Sequence, residues 1–165
     1  MRKFLLTLAA VALTAFAAKA DRTVTLDFVG WNFDGVAEWT QSYAEHTVNF
    51  DEATVYFKKA DRQPEGNAID DCPVTKGYGI VVTAKSQIVS TSVLFKQWNT
   101  KTKTANIVVD GTSVAETDAF AFENVAIGAT SYTITFTETN NQIGLQNITL
   151  VLADGEKPVD EVAAP

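Results

Sequence analysis

The chain has 165 residues, of which 46% are hydrophobic and 20% are charged. Arg2, Lys3 and Lys19 lie in the first 20 positions, which leaves 10 of the 13 basic residues against 20 acidic ones in the remainder, a formal charge of −10. A chain this acidic repels phosphate backbones and anionic lipid surfaces, which argues against nucleic-acid binding and against membrane insertion of the mature chain.

The first 20 residues are predicted to be a secretory signal peptide. Arg2 and Lys3 precede an apolar stretch from Phe4 to Ala18, and the sequence Ala-Lys-Ala at 18–20 is the A-x-A pattern at which such peptides are cleaved. A membrane-spanning helix is the alternative, but it needs about 20 apolar residues and this stretch is shorter. We therefore expect residues 1–20 to be removed and the mature chain to be exported to the periplasm, the cell surface or the medium.

From residue 21 onward, apolar and polar residues alternate with the period of two that is typical of β-strands. In residues 86–98 this places Val89, Val93 and Phe95 on one face and Leu94 and Trp98 on the other. Nine strands need a second sheet or a barrel to cover their apolar faces, so we predict an all-β fold, an antiparallel two-sheet β-sandwich over residues 21–153. The predicted strands are residues 23–29, 46–50, 53–60, 78–84, 86–98, 104–111, 120–125, 131–138 and 143–152.

Three segments lack this alternation. Residues 36–46 contain Trp39 and Tyr43 four positions apart, which fits one or two helical turns or a cap over one end of the sandwich. Residues 60–77 form a long connection, which is either functional or a surface excursion, and they contain the single cysteine, Cys72. Residues 154–165 are acidic and proline-containing, and we predict that they form a disordered tail.

Several segments resemble a known kind of domain: QSYAEHTVNF, DDCPVTKGYGI, FKQWNTKT and NNQIGLQNITLVL. They are similar to a jelly-roll domain that recurs in secreted and surface proteins of gut-type bacteria, and the similarity extends over most of residues 23–152. The last strand also resembles those of carbohydrate-binding modules and galactose-binding-like domains. The resemblance implies a jelly-roll sandwich and, by analogy of architecture alone, ligand binding; it carries over no functional residue.

Residues of the common catalytic motifs are scarce. His46 is the single histidine, and the sequence has no G-x-S-x-G, H-E-x-x-H or phosphate-binding glycine loop, which argues against hydrolase and nucleotide chemistry. A glycosidase needs only two carboxylates that face each other across a cleft, so this alternative stays open. The carboxylates available for it are Asp27, Asp34, Glu38, Glu45, Asp70 and Asp71.

Calcium is the cofactor that the composition favours, because carboxylate and carbonyl oxygens are plentiful whereas histidine and cysteine are scarce. Asp70 and Asp71, with loop carbonyls and Asp27, are the candidate ligands. No spaced calcium-binding motif supports the site, and solvated loop charges are the alternative.

Aromatic residues provide the most specific functional hypothesis. Carbohydrate-binding sandwiches place Trp or Tyr rings against the apolar face of a sugar, beside side chains that bond its hydroxyl groups. The alternative for each ring is that it closes one end of the core. The sequence offers three candidate clusters, namely Trp98 with Lys96 and Asn99, Trp31 with Asn32 and Asp34, and Trp39 with Tyr43.

These features predict an exported, non-catalytic binding module that recognises glycans. The alternative is a structural or adhesive surface protein that contacts other proteins, and a small glycosidase is a third class. Exposed pairs of Trp or Tyr rings with nearby amides would favour glycan binding. Buried Trp rings beside an unpaired apolar edge strand would favour protein contacts.

Overall fold

The computed structural model describes residues 21–98, 103–138 and 142–154. The predicted signal peptide, Asn99 and all but the first residue of the predicted tail lie outside these ranges. The described residues contain nine strands and no α-helix, which confirms the predicted all-β class. The strands are β1 (Arg22–Asp27), β2 (Ala44–Asn49), β3 (Ala53–Asp61), β4 (Val74–Lys76), β5 (Ile80–Gln97), β6 (Ala105–Val109), β7 (Thr112–Thr117), β8 (Ala121–Phe136) and β9 (Gln142–Leu152).

All strand pairs are antiparallel, and four strands close into a ring. β3 pairs with β4 and β5, and β9 also pairs with both β4 and β5, so the order β3, β4, β9, β5 returns to β3. The remaining strands lie outside this ring, β1 on β9, β2 on β3, and β8, β6 and β7 in succession beyond β5. Hydrogen bonding is therefore continuous through all nine strands, and the two-sheet jelly roll stays a prediction.

The long strand β5 closes the ring because its two halves have different partners. Residues 80–84 pair with β3, whereas residues 88–97 pair with β9, and the register on β8 shifts between Thr83 and Ile88. A second shift follows between Ile88 and Ser90 on both β8 and β9. The prediction that Val89 shares a face with Val93 and Phe95 is consequently wrong, since those two residues and Ile88 are buried whereas Val89 is exposed.

The strand number agrees with the prediction although the boundaries differ. The predicted strands 78–84 and 86–98 are one strand, β5, and 120–125 and 131–138 are both part of β8. The two short strands β4 and β7 were not predicted. The helical alternative for residues 36–46 is wrong beyond a single 3-10 turn at Val36–Glu38, after which Trp39 has extended backbone angles.

The main core lies between the inward faces of the strands. Leu26, Phe28, Phe57 and Ile148 are completely buried in it. Tyr132 is also buried, and its hydroxyl shares a 2.7 Å hydrogen bond with that of Thr91, so this polar group is satisfied inside the core.

A second, smaller core lies under the β3–β4 loop, residues 62–73. Ile69, Cys72 and Val74 form it, and the half-buried Trp98 packs against them. The loop approaches the backbone of β9 at Gly144, where an added Cβ would lie only 2.8 Å from Ile69 Cδ1 and 2.9 Å from Cys72 Sγ. The absence of a side chain at residue 144 therefore allows the loop to pack directly on the sheet.

Among the described residues, β1 and β7 are the first and last strands in the order of hydrogen-bonded neighbours. β1 pairs along its whole length with β9, with Arg22 opposite Leu152 at one end and Asp27 opposite Asn147 at the other. Arg22 also forms ion pairs of 2.8 Å and 3.1 Å with Glu52 and Asp154. No helix in the described part of the chain is long and apolar enough to span a bilayer.

Candidate functional site

Two of the predicted aromatic clusters meet at one end of the main core. The ring centroids of Trp31 and Trp39 are 5.4 Å apart, and Phe33 lies 5.6 Å from Trp31 and 6.0 Å from Trp39. We call these three residues with His46 the aromatic cap. Gly30 and Trp31 both have positive φ angles, 75° and 58°, which turn the chain after β1 and fold the indole back over the core.

Trp39 is a core residue of this cap. Only 7% of its surface is exposed, and its ring contacts Phe57 edge-on at 5.4 Å. It therefore does not offer the open ring face of a sugar-binding platform, although it lines the cleft described below. The capping alternative considered for residues 36–46 is the one that the structure adopts.

Trp31 is half-buried and is fastened to the β3–β4 loop. Its indole nitrogen donates a 2.8 Å hydrogen bond to the carbonyl of Asp70, and the backbone N–H of Gly30 donates one of 2.7 Å to the carbonyl of Asp71. The guanidinium of Arg62 lies 4.7 Å from the centre of the Trp31 ring. This cation–π contact holds a positive charge at the start of the loop.

A cleft of about 370 Å³ opens beside the aromatic cap, between the segment after the 3-10 turn at Val36–Glu38 and the start of the β3–β4 loop. The backbone N–H of Arg62 donates a 2.9 Å hydrogen bond to the carbonyl of Thr40, which joins the two walls. The lining combines one indole and one proline with groups that donate or accept hydrogen bonds. The lining residues are Trp39, Thr40, Gln41, Arg62, Gln63, Pro64 and Glu65.

Asn32 and Asp34, predicted to act with Trp31, are exposed and line a different depression. That depression has a volume of about 220 Å³ and is shared with Phe33, Asn49 and Asp51. Its surroundings are polar, and the indole of Trp31 does not line it. The structure therefore separates these two polar residues from the ring that they were expected to assist.

The Trp98 cluster holds the β3–β4 loop in place. Trp98 packs against the small core under the loop, and the ammonium of Lys96 forms a 3.0 Å ion pair with the carboxylate of Asp71. Asn99, the third predicted member, lies outside the described residues. The contacts of Trp98 and Lys96 account for their presence without a ligand.

Among the described residues, Trp39 makes its ring contacts with Trp31, Phe33, His46 and Phe57, whereas Tyr43 contacts β4 and β9 where Lys76 pairs with Gln142. Its hydroxyl accepts a hydrogen bond from the side-chain amide of Gln142, and the ammonium of Lys76 lies 4.2 Å from its ring centre. Burial, together with the negative charge of Asp61, raises the pKa of the Tyr43 hydroxyl to about 12. The phenol therefore stays protonated at physiological pH.

The three carboxylates proposed as calcium ligands each accept a hydrogen bond from a different group. Asp27 accepts one from the backbone N–H of Val29, Asp70 accepts one from that of Gly66, and Asp71 pairs with Lys96. In the described ranges, no three or more His, Cys, Asp or Glu side chains are grouped so that they could hold a metal ion. Calcium binding stays a prediction.

His46 is the member of the aromatic cap that has a buried polar atom without a hydrogen-bond partner. Its ring stacks on Trp39 with centroids 3.7 Å apart and planes within 11°, and its buried Nε2 has no hydrogen-bond partner. Burial lowers the pKa of His46 below its ordinary value of 6.5, and the negative charge of Glu38 acts in the opposite direction. The neutral imidazole is the form that fits this stack.

We therefore expect acid to destabilise the protein through His46. As the pH falls below 6.5, the unfolded chain binds a proton at His46 while the folded chain does not, so stability is lost until the lower folded pKa is reached. Urea midpoints compared between about pH 8 and about pH 5 measure this loss, with His46→Gln as the variant that lacks the titrating group. Equal pH dependence in both proteins would contradict the assignment.

Of the cleft residues the sequence predicted only Trp39, because the others lie in irregular segments without periodicity. Gln41 follows a 3-10 turn, and Arg62, Gln63 and Glu65 begin the β3–β4 loop. The unusual length of that loop was the only feature of the sequence that indicated a functional role for its residues. Comparison with models of protein families finds none that matches this chain, and a search of curated proteins also finds no match.

Proposed function

We propose that the protein is an exported, non-catalytic binding module that recognises glycans in the cleft beside the aromatic cap. The observation that carries this proposal is the lining of the cleft, where amide, carboxylate and guanidinium groups converge next to an indole and a proline ring. Sugars present hydroxyl groups to such side chains and CH groups to apolar rings, here the exposed Pro64 and the edge of the largely buried Trp39. The proposal includes a jelly-roll scaffold, export through the predicted signal peptide, and calcium as a ligand to be tested.

Two features support binding by preorganised groups. The guanidinium of Arg62 lies over the Trp31 ring, and the backbone of Arg62 is hydrogen-bonded to Thr40. The N–H donors of this guanidinium therefore have a defined position. Gln63 donates a 2.7 Å hydrogen bond to Asp61, which fixes a second polar side chain at the cleft. Groups that are already ordered lose less conformational entropy when a ligand binds.

The cleft lining supports binding more than catalysis. Glu65 is the one carboxylate among its lining residues, whereas glycoside hydrolysis uses two carboxyl groups on opposite sides of the scissile bond. We therefore place the small glycosidase behind the binding module.

An adhesive or structural role through protein contacts is the second candidate, and two observations favour it: the burial of Trp39 and the exposed edge strand β7. Among the described residues, β7 is hydrogen-bonded only through β6, and Thr112, Ser113, Val114 and Glu116 are all exposed. Val114 is 45% exposed on this edge. An unprotected edge strand can accept a strand from another protein.

A glycan array probed with the chain that begins at Asp21, with calcium and then with a chelator, tests the leading proposal. We expect selective binding that Arg62→Ala weakens by about tenfold, since a charge-assisted hydrogen bond contributes about 1.5–3 kcal/mol. Gln41→Ala should weaken it as well, because Gln41 is exposed and lines the cleft.

The matched control is Gln87→Ala. Gln87 is exposed and lies just beyond the end of the β3–β5 ladder at which Ala53 pairs with Ala84, whereas Arg62 follows the opposite end of β3. Its replacement should leave glycan binding unchanged. Absence of glycan binding under both calcium conditions, or equal losses in the Arg62 and Gln87 variants, would overturn the proposal and favour protein contacts through β7.

A further inference from the structure

The outer side of β3 and β4 carries a cluster of lysines and tyrosines that the proposed function does not use. On β2, Ala44 and His46 are two positions apart, but their partners on β3, Ala60 and Phe57, are three apart. This bulge places Lys58 and Lys59 together between two buried residues. Both lysines therefore project from the same short stretch of β3.

The neighbouring strand extends this cluster. Ala60 pairs with Thr75 on β4, so the next positions along the antiparallel ladder are Lys59 and Lys76. The ammonium of Lys59 lies 4.9 Å from the ring centre of Tyr78, and that of Lys76 lies 4.2 Å from the ring centre of Tyr43. We call Lys58, Lys59, Lys76, Tyr43 and Tyr78 the lysine–tyrosine face.

Among the described residues, the three lysines of this face form no ion pair within 4 Å. The ion pairs found there, with nitrogen and oxygen atoms within 4 Å of each other, join Arg22 to Glu52 and Asp154, and Lys96 to Asp71. The carboxylate of Asp61 interacts electrostatically with Lys76, but it is only 1% exposed and is hydrogen-bonded to Gln63, so it lies behind the surface that the lysines present. The face therefore presents three ammonium groups on a mature chain whose formal charge is −10.

The aromatic contacts give these charges fixed positions. An ammonium held over a ring keeps most of its charge and loses less side-chain freedom when it meets an anion. Tyr78 is 47% exposed, so part of its ring is available to an apolar surface. The side chain of Gln142, bound to the Tyr43 hydroxyl, adds an amide beside the two lysines.

We propose that the lysine–tyrosine face binds an acidic polysaccharide, a sugar chain that bears carboxylate or sulfate groups. The ammonium groups would bind the anions, and the exposed part of Tyr78 would contact the CH groups of a sugar ring. Nucleic acid fits less well, because base stacking needs open ring faces and a basic groove that follows the backbone. This inference rests on the proposed function only in assigning a glycan, since none of these five residues lines the cleft.

Affinity electrophoresis of the chain that begins at Asp21 tests the proposal, with gels that contain polygalacturonate, dextran sulfate or neutral dextran. We expect retardation by at least one of the acidic polymers in about 50 mM NaCl, loss of that retardation in about 500 mM NaCl because salt screens the lysines, and none in neutral dextran. The double variant Lys59→Gln with Lys76→Gln should weaken binding by about tenfold or more.

Lys85→Gln is the matched control, because Lys85 is an exposed lysine next to Ala84, which pairs with Ala53 at the opposite end of β3. It should change binding by less than about twofold, a difference below about 0.5 kcal/mol. Tyr78→Ala gives a second test at an exposed position, should the double variant unfold, and is expected to weaken binding as well. No retardation by either acidic polymer, retardation by dextran, or an equal loss in Lys85→Gln would overturn the proposal.

Arg62→Ala separates the two sites. If both proposals hold, this variant loses array ligands of the cleft but keeps acidic-polymer binding. A lysine double variant that keeps cleft binding but loses retardation supports the face independently of the cleft. Failure of the array with success in the acidic gels would overturn the cleft proposal alone.

Discussion

Replacement of Trp39 by alanine is expected to lower the free energy of unfolding by about 3–5 kcal/mol, the range for large buried aromatic residues. Its indole joins the aromatic cap to the main core through Trp31, Phe33, His46 and Phe57. Truncation leaves a cavity that these rings cannot fill without leaving their own contacts. Urea denaturation followed by far-ultraviolet circular dichroism measures the loss.

Two further variants make this expectation specific. Trp39→Phe keeps a ring in the cap and should cost less than the alanine variant. Trp98→Ala removes a half-buried indole from the small core, so it should also cost less. A loss for Trp39→Ala no larger than that for Trp98→Ala would show that the cap does not stabilise the fold as its packing indicates.

Gly144→Ala is expected to have the second largest effect, a destabilisation of about 1–3 kcal/mol from overpacking. The new Cβ would lie 2.8 Å from Ile69 Cδ1 and 2.9 Å from Cys72 Sγ, too close for either atom to stay in place. We expect the β3–β4 loop to move away from β9 rather than β9 to distort, because β9 is paired with both β4 and β5.

Reaction of Cys72 with a thiol reagent such as DTNB measures this movement. In the native protein Cys72 is completely buried, and burial with the negative charge of Asp71 raises the pKa of its thiol to about 12, so modification should be very slow. Gly144→Ala should accelerate it. Gly128→Ala is the control, because an added Cβ there meets nothing within 4 Å and introduces only the backbone strain of its φ angle of 70°. An equal acceleration in that variant would contradict a local effect.

Alternating hydrophobicity was sufficient to predict most strands. The alternation in residues 23–29 and 53–60 places Val24, Leu26, Phe28, Val55 and Phe57 on inward faces, and all of these are buried except the half-buried Val24. Residues 104–111 end in an Asp-Gly pair, the dipeptide typical of a tight hairpin, and Asp110 and Gly111 both have the positive φ angles that such a hairpin requires. Both features depend on residues that are close together in the chain, so they can be predicted from one sequence.

The errors arise where the structure depends on pairing between distant strands. The register shift beside Val89 reverses which residue faces the core, and nothing in the alternation of residues 86–98 indicates it. β4 has only three residues, and it forms a strand because β3 and β9 pair with it on both sides. Such bulges and short strands are determined by the assembled sheet rather than by local propensity.

The candidate sites show the same division. The sequence placed Trp31 and Trp39 in two separate candidate clusters. The structure brings these two rings together, but it buries Trp39 and separates Trp31 from Asn32 and Asp34. Lys58 and Lys59 are adjacent in the sequence, yet their association with Lys76 depends on the β3–β4 pairing. Burial and the pairing of distant residues are the information that composition and spacing lack.

The pairing of β1 with β9 has a mechanical consequence. Because the two strands are antiparallel and Arg22 lies opposite Leu152, a pulling force applied through both ends of this domain acts at one end of the ladder. The backbone hydrogen bonds of an antiparallel pair run across the strands, so such a force breaks them one after another, as in opening a zipper, instead of loading all of them together in shear. Release of β1 would uncover part of the edge of β9 and would therefore be the first event when the protein is stretched between two attachment points.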